Sequence, residues 1–205
     1  MRFSPPYLAL HQIAATGAIG EIINISTQKS YKAGNRPPWM KKQDTYGGTI
    51  PWIGIHMIDL MRFTSGREMT EAFSYRAQIK APPGIGEMEN TTGSVFRLDN
   101  QGVGMLHMDY CRPESSPTHG DDRLRLAGTK GVLEYMAATG VTLLEEGRKP
   151  QLIEKLPEEQ SVFLDFLDHV YNGKPTALPF EDIYKANLVT IAAQEAAVSG
   201  KVIKV

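Results

Sequence analysis

Apolar residues recur at helical spacing near both ends of the chain and once in between, while the middle alternates apolar and polar positions as strands do. Ser4-Pro5-Pro6 reads as a helix start, with a capping hydroxyl and proline in the first turn. Leu8, Leu10, Ile13 and Ala14 follow at helical spacing, and Gly17 is the stop. Gly20-Glu21 opens a β-rich run from Ile22 to Thr27. The stretch from Ser30 to Tyr46 is polar and irregular, and a loop of that length reads as a lid, a binding loop or a mobile segment. A helix is expected next over Pro51 to Thr64, closed by Ser65-Gly66.

Six strand-like runs follow: Met69 to Lys80, Thr91 to Leu98, Gly102 to Cys111, Arg123 to Ala127, Val132 to Met136 and Val141 to Glu145. Alternation is clear in Ser94-Val95-Phe96-Arg97-Leu98, which means one face buried and one exposed. Asp99-Asn100-Gln101-Gly102 is a turn that pairs its two neighbours as an antiparallel hairpin. Pro157 to Asn172 and Pro179 to Ser199 read as helices, the first with Val162, Phe163, Phe166, Leu167 and Val170 on one face, and Val202 to Val205 as a short last strand. The expected class is α+β, a largely antiparallel open sheet with helices on one face, in one domain over 1–205.

Composition narrows the function classes. With 22 Lys+Arg against 23 Asp+Glu the formal charge is −1, and no run of like charges suggests nucleic acid or a membrane surface as partner. Cys111 is the single cysteine, so no internal disulfide forms and a cytoplasmic location is expected. No apolar run reaches the ~18 residues of a membrane span, and the first residues lack a signal-peptide core.

The densest chemistry lies in Gly47-Gly48-Thr49-Ile50-Pro51-Trp52-Ile53-Gly54-Ile55-His56-Met57-Ile58-Asp59. His56 and Asp59, three apart, share a helical face within an apolar run, and the glycines let the backbone approach a ligand closely. Buried ionisable groups are costly unless paired or functional, so the two either satisfy each other inside the core or serve a site. A second polar cluster holds His107, Asp109, His119 and Asp121, which read either as a divalent-metal site or as polar groups on an open sheet face. In the long loop, Trp39 and Arg36 suit stacking on and hydrogen bonding to a sugar-like ligand, and Trp39 equally suits docking of another domain. A dinucleotide fingerprint is missing: neither Gly84-Ile85-Gly86 nor Gly102-Val103-Gly104 has the third glycine or opens a helix.

Five pieces in order resemble the C-terminal domain of the glucose–fructose oxidoreductase, inositol dehydrogenase and rhizopine-catabolism (Gfo/Idh/MocA) family. They are Arg2-Phe3-Ser4-Pro5, Thr16-Gly17-Ala18-Ile19-Gly20-Glu21-Ile22, the stretch from Gly47-Gly48 to Gly54-Ile55-His56 and Asp59-Leu60, Arg123 to Gly131, and the end from Phe166-Leu167 to Ser199-Gly200-Lys201. The resemblance implies a dihydrodipicolinate-reductase-like fold whose open sheet face forms a homo-oligomer. It implies hydride transfer between NAD or NADP and a sugar, inositol or related polyol. The cofactor and a catalytic lysine would belong to an N-terminal Rossmann domain, which is not in this sequence; the chain by itself is therefore expected to be inactive and to bind no cofactor or metal. His56 matches the family histidine in acid–base work, with Trp52, Asp59, Arg36, Trp39 and His107 as expected substrate contacts. Trp52 stands where many members have Asp, which puts the usual proton relay in question. The competing reading is a non-catalytic ligand-binding or dimerisation module.

Overall fold

A central strand with a partner on each side organises the molecule. In the computed structural model, which describes residues 1–82 and 84–205, β1 (Ile22–Lys32) runs parallel to β4 (Val103–Arg112) and antiparallel to β5 (Gly120–Gly128). On the β4 side lie β3 (Thr91–Leu98), β2 (Met69–Ala77) and the short β9 (Ile203–Lys204). On the β5 side lie β6 (Gly131–Met136), β7 (Gly140–Glu145) and the two-residue β8 (Gln151–Leu152). All pairings other than β1–β4 are antiparallel, including the hairpin expected at Asp99 to Gly102, where Gln101 takes φ 70 and Leu98 N–H donates to the Gly102 carbonyl at 2.9 Å.

The sheet has one helix-covered face. Ile25, Thr27 and Lys29 of β1, Leu106, Met108 and Tyr110 of β4, and Leu124 and Leu126 of β5 are buried there by strand alternation. Against them pack α1 (Pro5–Ala15), α3 (Ile55–Ser65) and α5 (Phe180–Ser199), with Leu10, Met57, Leu60, Val189 and Ala193 in the shared core. The other face carries Gln28, Val95, Arg97, Met105, His107 and Arg125 toward solvent.

Several expectations shift at their edges. The strand does not end at Thr27: β1 continues to Lys32, because its backbone is held by both β4 and β5. The Ser30–Tyr46 loop is accordingly shorter, and it contains a 3₁₀ turn (Pro38–Lys41) and one α turn, α2 (Gln43–Tyr46), which bury Met40 and Tyr46. The strand expected from Arg123 starts at Gly120, paired with the extension of β1. Ser4 caps α1 with its carbonyl rather than its hydroxyl; Pro5 and Pro6 carry no N–H for the hydroxyl to accept. The helix expected from Pro157 begins later, as α4 (Val162–Asn172), where the Ser161 hydroxyl accepts from Leu164 N–H at 3.3 Å. Its apolar residues Phe163, Phe166 and Val170 are exposed, since no other described element packs over them.

One buried guanidinium ties the helices together. Arg2, 4% exposed, donates from Nε and Nη2 to the two carboxylate oxygens of Asp59 on α3 at 2.8 and 2.6 Å, and from Nη1 to Asp182 on α5 at 2.6 Å. Its planar fork also lies over the Phe63 ring, 4.9 Å from the centroid. Arg62 of α3 repeats the link, donating to the Asp182 carbonyl at 2.9 Å and to Glu68 at 2.7 Å. Replacing Arg2 by Met leaves Asp59 without its cation and Asp182 with only the longer Arg62 contact at 3.4 Å. The expected loss is about 2–3 kcal/mol in urea-unfolding stability, below the 3–5 kcal/mol of a fully buried broken pair because Asp59 and Asp182 keep some solvent. An unchanged unfolding midpoint would remove Arg2 from this role.

Candidate functional site

The site is built around the entry to α3. Thr49 N–H donates to the buried Glu89 carboxylate at 3.1 Å, and Arg76 pairs with the same carboxylate. From this anchor the chain makes a π-helical turn over Ile50–Gly54 before settling into α3, so the expected helix from Pro51 starts in a different geometry. Such turns widen the helix by a residue and often mark functional segments. The glycines serve packing rather than approach to a ligand: Gly48 adopts φ +114, and a Cβ there would meet the Gln194 amide of α5 at 2.8 Å. Gly54 lets the turn sit on β4, since a Cβ would lie 3.0 Å from Met108 Cε.

Of the two alternatives for His56, pairing inside the core or serving a site, the first does not hold: it is exposed on the first turn of α3 and makes no hydrogen bond among the described residues. It does not pair with Asp59, whose two oxygens are both taken by the Arg2 fork. Both residues line a cleft of about 420 Å³ between the Met1–Ser4 segment, Ile55, and Val162 of α4, Ile183 of α5 and Leu178 between these helices. One flank is therefore apolar, and the other carries the imidazole and the Arg2–Asp59 pair.

The electrostatics favour a neutral His56. Desolvation at the cleft is the largest influence, and the positive charges of Lys29 and the Met1 amine add to it, so the ring's proton affinity falls below its ordinary value. Asp122 and Asp59 pull the other way and lose.

The expected substrate contacts divide. Trp52, four residues before His56, is exposed beside Trp39, with ring centroids 5.4 Å apart and edge-to-face. Tyr46 backs Trp52 at 6.1 Å. The loop and the helix entry thus combine into one aromatic wall on the His56 side of the fold. Arg36 turns away from this wall: its guanidinium lies 5.0 Å over the Tyr110 ring and donates to the Lys32 carbonyl at 3.2 Å. His107 is on the opposite, open face of the sheet, bonded to Gln28 at 3.0 Å, so it does not join His56. His107, Asp109 and His119 do not converge on a metal either. Asp109 accepts from Ser30, His119 stacks on Tyr31 at 5.3 Å, and no metal-holding group of three exists among the described residues. Neither Gly-x-Gly of the sequence opens a helix as a phosphate cradle: Gly102-Val103-Gly104 runs into β4, and Gly84-Ile85-Gly86 lies in the loop before β3.

One charged residue near the site escaped the sequence reading. Lys29, with a side chain only 1% exposed, places its ammonium 2.9 Å from Asp122 Oδ2. The two residues sit opposite each other in the β1–β5 register. Period-two spacing from Ile25 and Thr27 marks Lys29 as inward-facing, and ending the strand at Thr27 hid that signal.

Known proteins place this architecture. The chain matches the uncharacterised oxidoreductase YrbE of Bacillus subtilis (strain 168) at 27% identity over 133 residues, covering 63% of this chain and 36% of YrbE. A Thermotoga maritima protein assigned as an oxidoreductase superposes with TM-score 0.93 at 35% identity, over 100% of this chain and 61% of its own. Levoglucosan dehydrogenase, solved with NADH and L-sorbose, shares the fold at TM-score 0.81 and 16% identity, over 100% of this chain and 64% of its own. The chain thus spans roughly a third to two thirds of these relatives' lengths. The model of the GFO/IDH/MocA C-terminal domain matches residues 7–134, and the chain belongs to that family.

Proposed function

We propose that the chain is the substrate-binding and oligomerisation half of an NAD- or NADP-dependent oxidoreductase acting on a sugar, inositol or related polyol. The observation that carries this reading is His56, an imidazole with no internal partner at the edge of a half-apolar cleft. Its lowered proton affinity keeps it neutral near pH 7, the form in which a ring nitrogen accepts a proton. In the oxidative direction the substrate hydroxyl donates its proton to His56 while the carbon loses hydride, leaving a carbonyl; reduction reverses both transfers. The nicotinamide, held by a nucleotide-binding domain outside this chain, supplies the hydride chemistry when bound. The exposed apolar residues of α4 support such a packing partner. The fold relative solved with NADH and L-sorbose supports both the cofactor and the substrate class. A cytoplasmic protein is in keeping with the single cysteine.

A second reading is a ligand-binding module without catalysis. It is favoured by Asp59, which is committed to Arg2 and leaves His56 with no carboxylate to orient it, and by Trp52 and Trp39, which suit binding. Sugar binding without turnover, when the nucleotide-binding domain and NAD(P) are supplied, would select it.

In the complete enzyme His56→Ala is expected to lower kcat/KM about 10²–10⁴-fold, measured with the best sugar or polyol substrate. Nearly full activity would end the catalytic role. The pH profile gives a second check. Since the folded-state value for His56 lies below its ordinary 6.5, oxidation should rise with pH to a plateau with a midpoint under 6.5. Stability follows the same sign: below 6.5 the unfolded chain binds more protons than the folded one, so stability falls as pH drops through that window. A midpoint above 6.5 contradicts the site's electrostatics.

The open sheet face is the proposed homo-oligomer surface. Tyr75, Val95, Met105 and Ile23 stand exposed there among arginines and carboxylates. Val95→Glu with Met105→Glu is expected to convert an oligomer to monomer in analytical ultracentrifugation; an unchanged sedimentation coefficient would place the interface elsewhere.

A further inference from the structure

The Met1–Ser4 segment separates the His56 cleft from a second groove of about 520 Å³, and Met1, Ser4 and Glu159 line both. This groove is walled by Tyr7, Tyr31, Asp122 and Tyr135. The side chains come from three strands and α1, and they meet because of register. Lys29 faces Asp122 across β1–β5, Tyr31 is two residues beyond Lys29, and Tyr135 sits opposite Leu124, two residues from Asp122. Tyr7 descends from α1, with its ring edge-on to Tyr135 at 5.3 Å.

What sets the cluster apart is unspent hydrogen-bonding capacity. Lys29 uses one donor on Asp122 Oδ2 at 2.9 Å, and its other near neighbour is the Met1 thioether at 3.7 Å. Tyr31 donates to the same Oδ2 at 3.3 Å, while the buried Oδ1 has no partner among the described residues. The hydroxyls of Tyr7 and Tyr135 also make no hydrogen bond among the described residues, and unlike Oδ1 they are open to solvent along the groove. A purely structural buried ion pair is expected to have its remaining donors and acceptors satisfied by the protein. Here a carboxylate acceptor and two phenols are left over in one groove, with the Lys29 ammonium held on Asp122 outside its lining. The lysine and aspartate cancel in charge and Glu159 adds a negative one, so the groove does not favour a phosphate, and its carboxylates form no metal-holding group of three among the described residues. It suits a neutral molecule that donates and accepts at closely spaced positions.

We propose that this groove is a hydroxyl-binding subsite next to His56, in which Asp122 accepts from adjacent hydroxyls of a neutral sugar or polyol while Tyr7 and Tyr135 donate to them and Lys29 fixes Asp122 in place. The proposal rests on the oxidoreductase reading for its substrate class, and it assigns that class a place on this chain. Lys29 and Asp122 hold each other in position, and the two free phenols give the cleanest test, since losing an unpartnered hydroxyl removes no internal bond.

The experiment is titration of the chain with myo-inositol, D-glucose and D-sorbitol, followed by NMR shift changes, for the natural protein and for Tyr7→Phe, Tyr135→Phe and Asp122→Asn. At least one probe is expected to bind with shifts at Tyr7, Tyr31, Asp122 and Tyr135. Each Phe variant should keep its thermal midpoint and weaken that probe about 2- to 12-fold, the worth of one neutral hydrogen bond. Asp122→Asn should weaken it further, and if that variant unfolds by stranding Lys29, the Phe variants still decide. Equal affinity in both Phe variants, shifts confined to Trp39 and Trp52, or no binding of any probe up to its solubility overturns the subsite. None of those results touches the His56 rate test, so the two ideas fail separately.

Discussion

Everything in this fold depends on β1 being paired on both edges. A strand running parallel to β4 and antiparallel to β5 joins two meanders that would otherwise be separate small sheets. The parallel pairing cannot be closed by a tight turn, so the chain must travel from β1 through the 3₁₀ turn, α2, α3, β2 and β3 before β4 falls into place. That long connection crosses the helix-covered face, and it carries Trp39, Trp52 and His56 with it. The topology therefore puts the candidate site on the crossover rather than on the sheet.

The same strand supplies the polar end of the core. Ile25 and Thr27 bury into the helix layer, and two residues later the alternation delivers Lys29 to the same side, where apolar packing gives way to the Met1 segment. A lysine there is tolerable because the register places Asp122 directly opposite. Its charge is then felt at His56, whose proton affinity it lowers, together with desolvation. Sheet register and imidazole chemistry are in this way linked across the cleft.

Arg2 has a complementary part. Its fork consumes both oxygens of Asp59, so a carboxylate one helical turn from His56 becomes a strut between the segment before α1, α3 and α5. The helix that presents the imidazole is held through Asp59 one turn further on, and the imidazole itself makes no hydrogen bond among the described residues. The cleft beside it is lined on one side by the Met1–Ser4 segment and on the other by the apolar starts of α4 and α5.

Local pattern was enough for much of this. Alternation in Ser94 to Leu98, the turn at Asp99 to Gly102 and the stops at Gly17, Gly66, Gly173 and Gly200 depend on neighbours a few residues away, so they could be read directly, as could the α+β class and the family resemblance centred on His56. Edges were misjudged where distant pairing overrides composition: polar Gln28 to Lys32 extends as a strand because β4 and β5 supply its hydrogen bonds. The partners of charged groups were out of reach for the same reason. Nothing near Asp59 in the chain announces Arg2, 57 residues away, and nothing near Lys29 announces Asp122, 93 residues away. The sequence by itself determined which residues are helix, strand and candidate base. Only the tertiary structure decided that His56 is exposed, that Asp59 is spent, that His107 faces the other side of the sheet, and that Lys29 meets Asp122, because each of these is set by long-range register and packing rather than by local spacing.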